Sequence, residues 1–129
     1  MIRRIAAACL VGGAALAACA APRQTLGTSS SACFRSLPTA RAAVHQQGRL
    51  VGVRRITRTH LLRGFPQAAL PAGKDFCVVV FSDDFHSDKV DKAAGAQGGK
   101  NAVVIVNMRG TSLIQTWLAD RVPFHVTHR

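Results

Sequence analysis

The sequence predicts a small single α/β domain, with a mixed sheet of about four strands, a βαβ unit and two helices. Three features predict it. Phe76-Cys77-Val78-Val79-Val80-Phe81 and Ala102-Val103-Val104-Ile105-Val106 are apolar throughout, as expected of strands covered on both faces. The stretch between them, from Ser87 to about Gln97, carries helical spacing, with Val90, Ala93 and Ala94 on one side and Gly98-Gly99 as a stop. A strand, a helix and a strand in that span read as parallel strands joined by a right-handed crossover.

The remaining elements follow in order. Ser36-Leu37-Pro38 resembles a helix start, since proline is tolerated in a first turn. Leu37, Ala40 and Val44 then share a face, and Gly48 is a stop. The β-branched content from Leu50 to Thr57 predicts a strand whose alternation breaks at Arg54-Arg55, hence a bulge or an edge position. Residues 58–70 hold a short helical turn around Leu61-Leu62, ended by Gly64 and Pro66. Pro71-Ala72-Gly73-Lys74 is a turn. Asp88 and Lys92 stand four apart in the favourable order for the helix expected there. After Arg109-Gly110 turns the chain, Leu113–Leu118 returns as an antiparallel strand, with a helix across 112–121 as the alternative. The tail from Val122 adds a short strand.

The N-terminus reads as an address. Met1-Ile2-Arg3-Arg4 is a basic head, Ile5 to Ala18 is an apolar run, and Leu16-Ala17-Ala18-Cys19 closes it. That order is a secretory signal, and the run is shorter than the roughly 20 residues a membrane-spanning helix needs. The last four residues resemble the lipobox of bacterial lipoproteins at every position. The resemblance implies that Cys19 takes diacylglycerol and, after cleavage before it, an amine-linked acyl chain such as palmitate. Two or three chains anchor stably where one would be marginal. In Gram-negative members of that class an Asp after the cysteine retains the protein in the inner membrane. Ala20 stands there, so the resemblance implies the outer membrane, facing the periplasm, or the outer side of the cell membrane in a Gram-positive source. The chain then divides into a signal over 1–18, a lipidated flexible tether over 19–32 and a folded domain over 33–129. By its composition the tether spans about 20 Å on average, which holds the domain near the bilayer.

Of 17 Lys and Arg, Arg3 and Arg4 fall in the signal, leaving 15 against 6 acids, a formal +9. No acid precedes Asp75, and the chain has no Glu and no Tyr. Such a balance favours anionic partners, and lipid head groups or wall polymers suit this compartment. Nucleic acid does not, and no interleaved aromatics offer bases a stacking surface. Solubility alone also accounts for a net positive charge. Cys9 lies in the signal and Cys19 takes lipid, so Cys33 and Cys77 remain as a pair in an oxidising compartment, where a disulfide is the default. Closing so long a loop stabilises a domain by about 4 kcal/mol.

Two clusters could carry chemistry. Asp83, Asp84, His86 and Asp88 follow the first apolar strand, and in a parallel arrangement Asn107 and Arg109 lie beside them at the carboxyl edge, where open α/β sheets bind ligands. This set could hold a divalent cation or supply an acid–base pair, but acids at a helix start also serve as caps and dipole partners. Arg49, Arg54, Arg55, Arg58, His60 and Arg63 form a second set. On an edge strand they make a ridge that either grips phosphates and carboxylates or blocks unwanted strand pairing. His125 and His128, three apart on a strand, face opposite ways, and Trp117 reads as a core or interface anchor. No nucleophile elbow, phosphate loop or zinc-ligand set occurs, so the sequence implies no cofactor or metal. The expectation is a membrane-anchored, non-enzymatic interaction or scaffolding module of the envelope, working on an envelope protein or anionic polymer. The alternative is a small ligand- or metal-binding domain, with hydrolysis as one option, that uses the loop over 83–88.

Overall fold

The computed structural model describes residues 31–126. The signal, Cys19, most of the tether and His128 lie outside the described residues. The chain opens with a 3-10 turn at Ser31–Ser36 that runs into α1 (Leu37–Ala43). Then follow β1 (Arg49–Thr57), α2 (Arg58–Gly64), β2 (Asp75–His86), a 3-10 turn at Ser87–Lys89, β3 (Ala93–Gly95), β4 (Gly98–Asn107) and β5 (Leu113–Ala119). This is a small α/β domain with two helices and a mixed five-stranded sheet in the order β1-β2-β4-β5-β3. Among the described residues, no helix is long and apolar enough to cross a membrane.

The two apolar runs form the central strands β2 and β4, but they are antiparallel: Phe76 faces Asn107 and Phe81 faces Ala102. The expected βαβ unit is therefore replaced by a long hairpin, and residues 87–97 are not a helix. The physical reason is visible in that segment. A crossover helix must cover the sheet with an apolar face, and Val90 is its one large apolar side chain. Gly95 takes a left-handed φ of 80°. Gly99 abuts the β5 backbone so closely that a Cβ would stand 2.7 Å from the Ala119 carbonyl carbon. β2 also runs on past Phe81 to bury Phe85, through an irregularity between Ser82 and Phe85. The connecting segment docks on α1 instead, with the Asp91 amide donating to the Ala43 carbonyl at 2.8 Å. It then adds β3 parallel to β5, which makes the sheet mixed.

Both faces are covered. Cys77, Val79, Phe81, Val104 and Val106 pack against Cys33, Ala40 and Val44 of the opening turn and α1. Phe76, Val78, Val80, Val103 and Ile105 pack against Leu61 and Phe65 around α2 and against Phe124 and Val126 of the tail. The short helix expected around Leu61-Leu62 is thus α2, capped by the Thr57 side chain, which accepts from the His60 amide. The tail lies across the sheet face without forming a strand as far as residue 126. Cys33 and Cys77 form a disulfide, with Cα atoms 5.4 Å apart, which staples the opening turn to β2. β1 is an edge strand, as its broken pattern predicts, although the register slips between Leu50 and Gly52 rather than at Arg54-Arg55. β5 pairs antiparallel with β4 as expected.

Candidate functional site

The antiparallel hairpin places the sequence-derived candidates at two opposite ends of the sheet. Asp83, Asp84, His86 and Asp88 are exposed at the end where Arg49 faces Ser82 and His86 faces Gly98. Asn107 stands at the other end, opposite Phe76, with Arg109 in the turn beyond it. So the six-residue constellation expected around the acidic loop is not assembled. Residues 83–86 are the irregular end of β2 rather than a loop, and there Asp83 and Asp84 serve local structure. Asp83 Oδ1 accepts from the Asp84 amide at 2.7 Å, the Asp84 carbonyl accepts from Gln47 Nε2, and Lys100 Nζ lies 3.6 Å from Asp84 Oδ1. Among the described residues, no three His, Cys, Asp or Glu side chains are grouped to hold a metal ion.

The arginine ridge is also divided. On β1, Arg54 lies opposite Val78 and Arg55 opposite Cys77, so the two project from opposite sheet faces. Arg54 donates to the His125 carbonyl at 2.6 Å and so ties down the tail. Arg58 donates to the carbonyls of Gly73 and Pro71 and lies over the Phe76 ring, 5.6 Å from its centroid. These two side chains hold the fold together. Arg49 and Arg63 are exposed and form no ion pair with a described residue. His60 packs edge-on against Phe124, and Trp117 stacks on Phe65 at 4.9 Å, which is the anchor role its residue type suggested.

Arg55 leads to the site the structure does build. At the Asp75–Asn107 end, four segments converge: the opening turn, β1, the loop before β2 and the turn after β4. They border an open groove of about 690 Å³ lined by Arg35, Arg55, Lys74, Asp75, Asn107 and Arg109, among others, with all four cations exposed to solvent. The disulfide carries Arg35 here, because Cys33 two residues earlier is bonded to Cys77 two residues after Asp75. Gly73 bends the loop with a φ of 142°, and the Lys74 carbonyl accepts from the Arg58 amide at 2.7 Å. On the far wall, Asn107 Oδ1 accepts from the Arg109 amide at 3.0 Å and shapes the turn. Thr39 of α1 donates to the Thr111 carbonyl at 2.9 Å and fixes that turn against the helix.

Four cations and one carboxylate therefore line the same groove. Arg55 Nη2 pairs with Asp75 Oδ2 at 2.7 Å, which leaves the side chains of Arg35, Lys74 and Arg109 without an ion pair to any described residue. Like charges gathered in a concave wall focus a positive potential, and an anion entering it would offset their mutual repulsion. Sequence reasoning missed Arg35 and Lys74 and put Arg109 at the wrong end of the sheet. The cysteine pairing was the available signal, since a bond from Cys33 to Cys77 draws Arg35 towards Lys74 and Asp75. No family model matches the chain, and neither a curated protein nor a solved structure is significantly similar to it.

Proposed function

We propose that this protein is a membrane-anchored lipoprotein of the bacterial envelope whose domain is a non-enzymatic interaction or scaffolding module for an anionic envelope component. The observation that carries the reading is the cationic groove, lined by Arg35, Arg55, Lys74 and Arg109 with Asp75 as the one acid among its described lining residues. Basic residues spread over a surface argue only for solubility. Brought together in one groove from four separate segments on a disulfide-stapled frame, they argue for recognition. Lipid on Cys19 and the short tether would hold this surface near the outer membrane, on its periplasmic side in a Gram-negative source. There a polymer or an envelope protein with acidic groups is at high local concentration.

In-cell crosslinking of the full chain, with mass spectrometry of what co-purifies, tests the reading, and a Cys19→Ala chain is the control. One dominant envelope partner, lost in the control, is the expected result. A partner spectrum identical with and without Cys19, or no partner above background, would remove the anchored-module reading.

A further inference from the structure

We infer that the groove at the Asp75–Asn107 end is a binding site for the phosphate ester of a polyhydroxy compound. The inference deepens the reading above by giving the recognised group a chemistry. The charge balance asks for an anion. Asp75 neutralises Arg55 alone, and three further cations line the same space. Arginine presents a planar fork that matches phosphate oxygens two at a time, and three of the four cations here are arginines. A phosphate matches the surplus of positive charge better than a single carboxylate does.

The remaining polar atoms ask for hydroxyl groups. Asp75 uses Oδ2 for Arg55, which leaves Oδ1 as an acceptor without a partner among the described residues. A carboxylate repels a bare phosphate but accepts from an alcohol. Asn107 lines the same groove and uses Oδ1 to accept from the Arg109 amide, which sets the turn that carries Arg109. The groove is open to solvent and holds about 690 Å³. That is more room than an inorganic ion fills. Met108 and Ala72 supply apolar wall for a carbon skeleton. Such a group reaches the site either as a free or polymer-borne ester or as a lipid head group, and the two share this chemistry.

The test uses the full lipidated chain in neutral detergent, titrated calorimetrically with sn-glycerol 3-phosphate, with inorganic phosphate, and with phosphatidylglycerol doped into the micelles against a phosphatidylcholine control. Saturable binding of glycerol 3-phosphate, tighter than inorganic phosphate, is expected for a free or polymer-borne ester. Binding of phosphatidylglycerol alone is expected for a head group. In either case Arg35→Ala and Arg109→Ala each weaken binding about tenfold or more, while Arg49→Ala and Arg63→Ala, which remove the same charge elsewhere, leave it unchanged. Three results overturn the inference: no binding of either ester, inorganic phosphate bound as tightly as the ester, or equal losses in all four variants. If the esters are ignored while crosslinking still returns a Cys19-dependent partner, the groove assignment alone falls. Ester binding with no partner captured removes the scaffold reading alone.

Discussion

Phe76 and Asn107 face each other across β2 and β4, and that pairing separates the acidic loop from every polar group it was expected to join. It leads directly to a paired test. Asp83→Asn/Asp84→Asn should change stability by no more than about 0.5 kcal/mol, as for other exposed substitutions, and should leave anion binding intact. Asn107→Asp keeps an oxygen to accept from the Arg109 amide but adds a negative charge to the groove. Its melting temperature should stay near that of the parent, while its affinity for glycerol 3-phosphate falls about tenfold. If the acidic-loop variant loses binding and Asn107→Asp does not, the site has been placed at the wrong end of the sheet.

The disulfide should be a main support of the domain. It joins residues 44 apart in sequence and lies fully buried where the opening turn meets β2. Removing such a bond from a small secreted domain costs about 2–5 kcal/mol, against a total stability of about 5–15 kcal/mol for a typical domain. Urea unfolding of Cys33→Ala/Cys77→Ala should show a loss of that size. Reductant should shift the parent's midpoint in the same direction and leave the variant's alone. Because Arg35 reaches the groove through this bond, anion binding should weaken along with stability.

How far the sequence disclosed this arrangement differs from element to element. The central strands are plain in the sequence, because runs of six and five consecutive apolar residues fit few other roles in so short a segment. The edge position of β1 was visible in its interrupted pattern, and α2 in Leu61-Leu62 before Gly64. The relative direction of β2 and β4 was not, since an apolar run reads the same from either end and the spacing of Val90, Ala93 and Ala94 imitates a helix. What defeats that helix is tertiary. Gly99 leaves no room for a Cβ against Ala119, and Phe85 draws β2 onward into the core. The candidate site suffered most from this error, because a reversed strand moves its flanking residues to the far edge. The arginines show a second limit. Arg54 and Arg58 look like Arg49 and Arg63 in sequence, yet only the first two are committed to backbone carbonyls.

That distinction gives a test of its own. Arg58→Ala leaves the carbonyls of Gly73 and Pro71 without their donor and uncovers the Phe76 ring. Lost charge-assisted hydrogen bonds of this kind cost about 1.5–3 kcal/mol, and thermal unfolding should show the loss. Arg63→Ala touches no described partner and should melt with the parent. Equal melting temperatures for the two would mean that Arg58 does not hold the loop before β2 in place.

The opposite sheet face offers a spectroscopic check, because Trp117 is the chain's single tryptophan. Its indole N–H donates to Gln115 Oε1 at 2.9 Å, the same oxygen that accepts from the Ala69 amide at 3.2 Å, while its ring stacks on Phe65. One side-chain oxygen thus joins β5 to the segment that follows α2. Gln115→Ala strips both donors of their acceptor, and leaving partly buried donors unpaired costs about 1–3 kcal/mol each. The loss is smaller where water replaces the acceptor, so a total of about 1–2 kcal/mol is expected, with a shift in tryptophan emission. Gln115→Glu retains the oxygen and should restore most of the stability, so the pair of variants separates loss of the acceptor from loss of side-chain bulk. Because this face lies away from the groove, neither substitution should alter the affinity for glycerol 3-phosphate. A change in affinity with an unaltered emission spectrum would show that the two faces are coupled through the sheet.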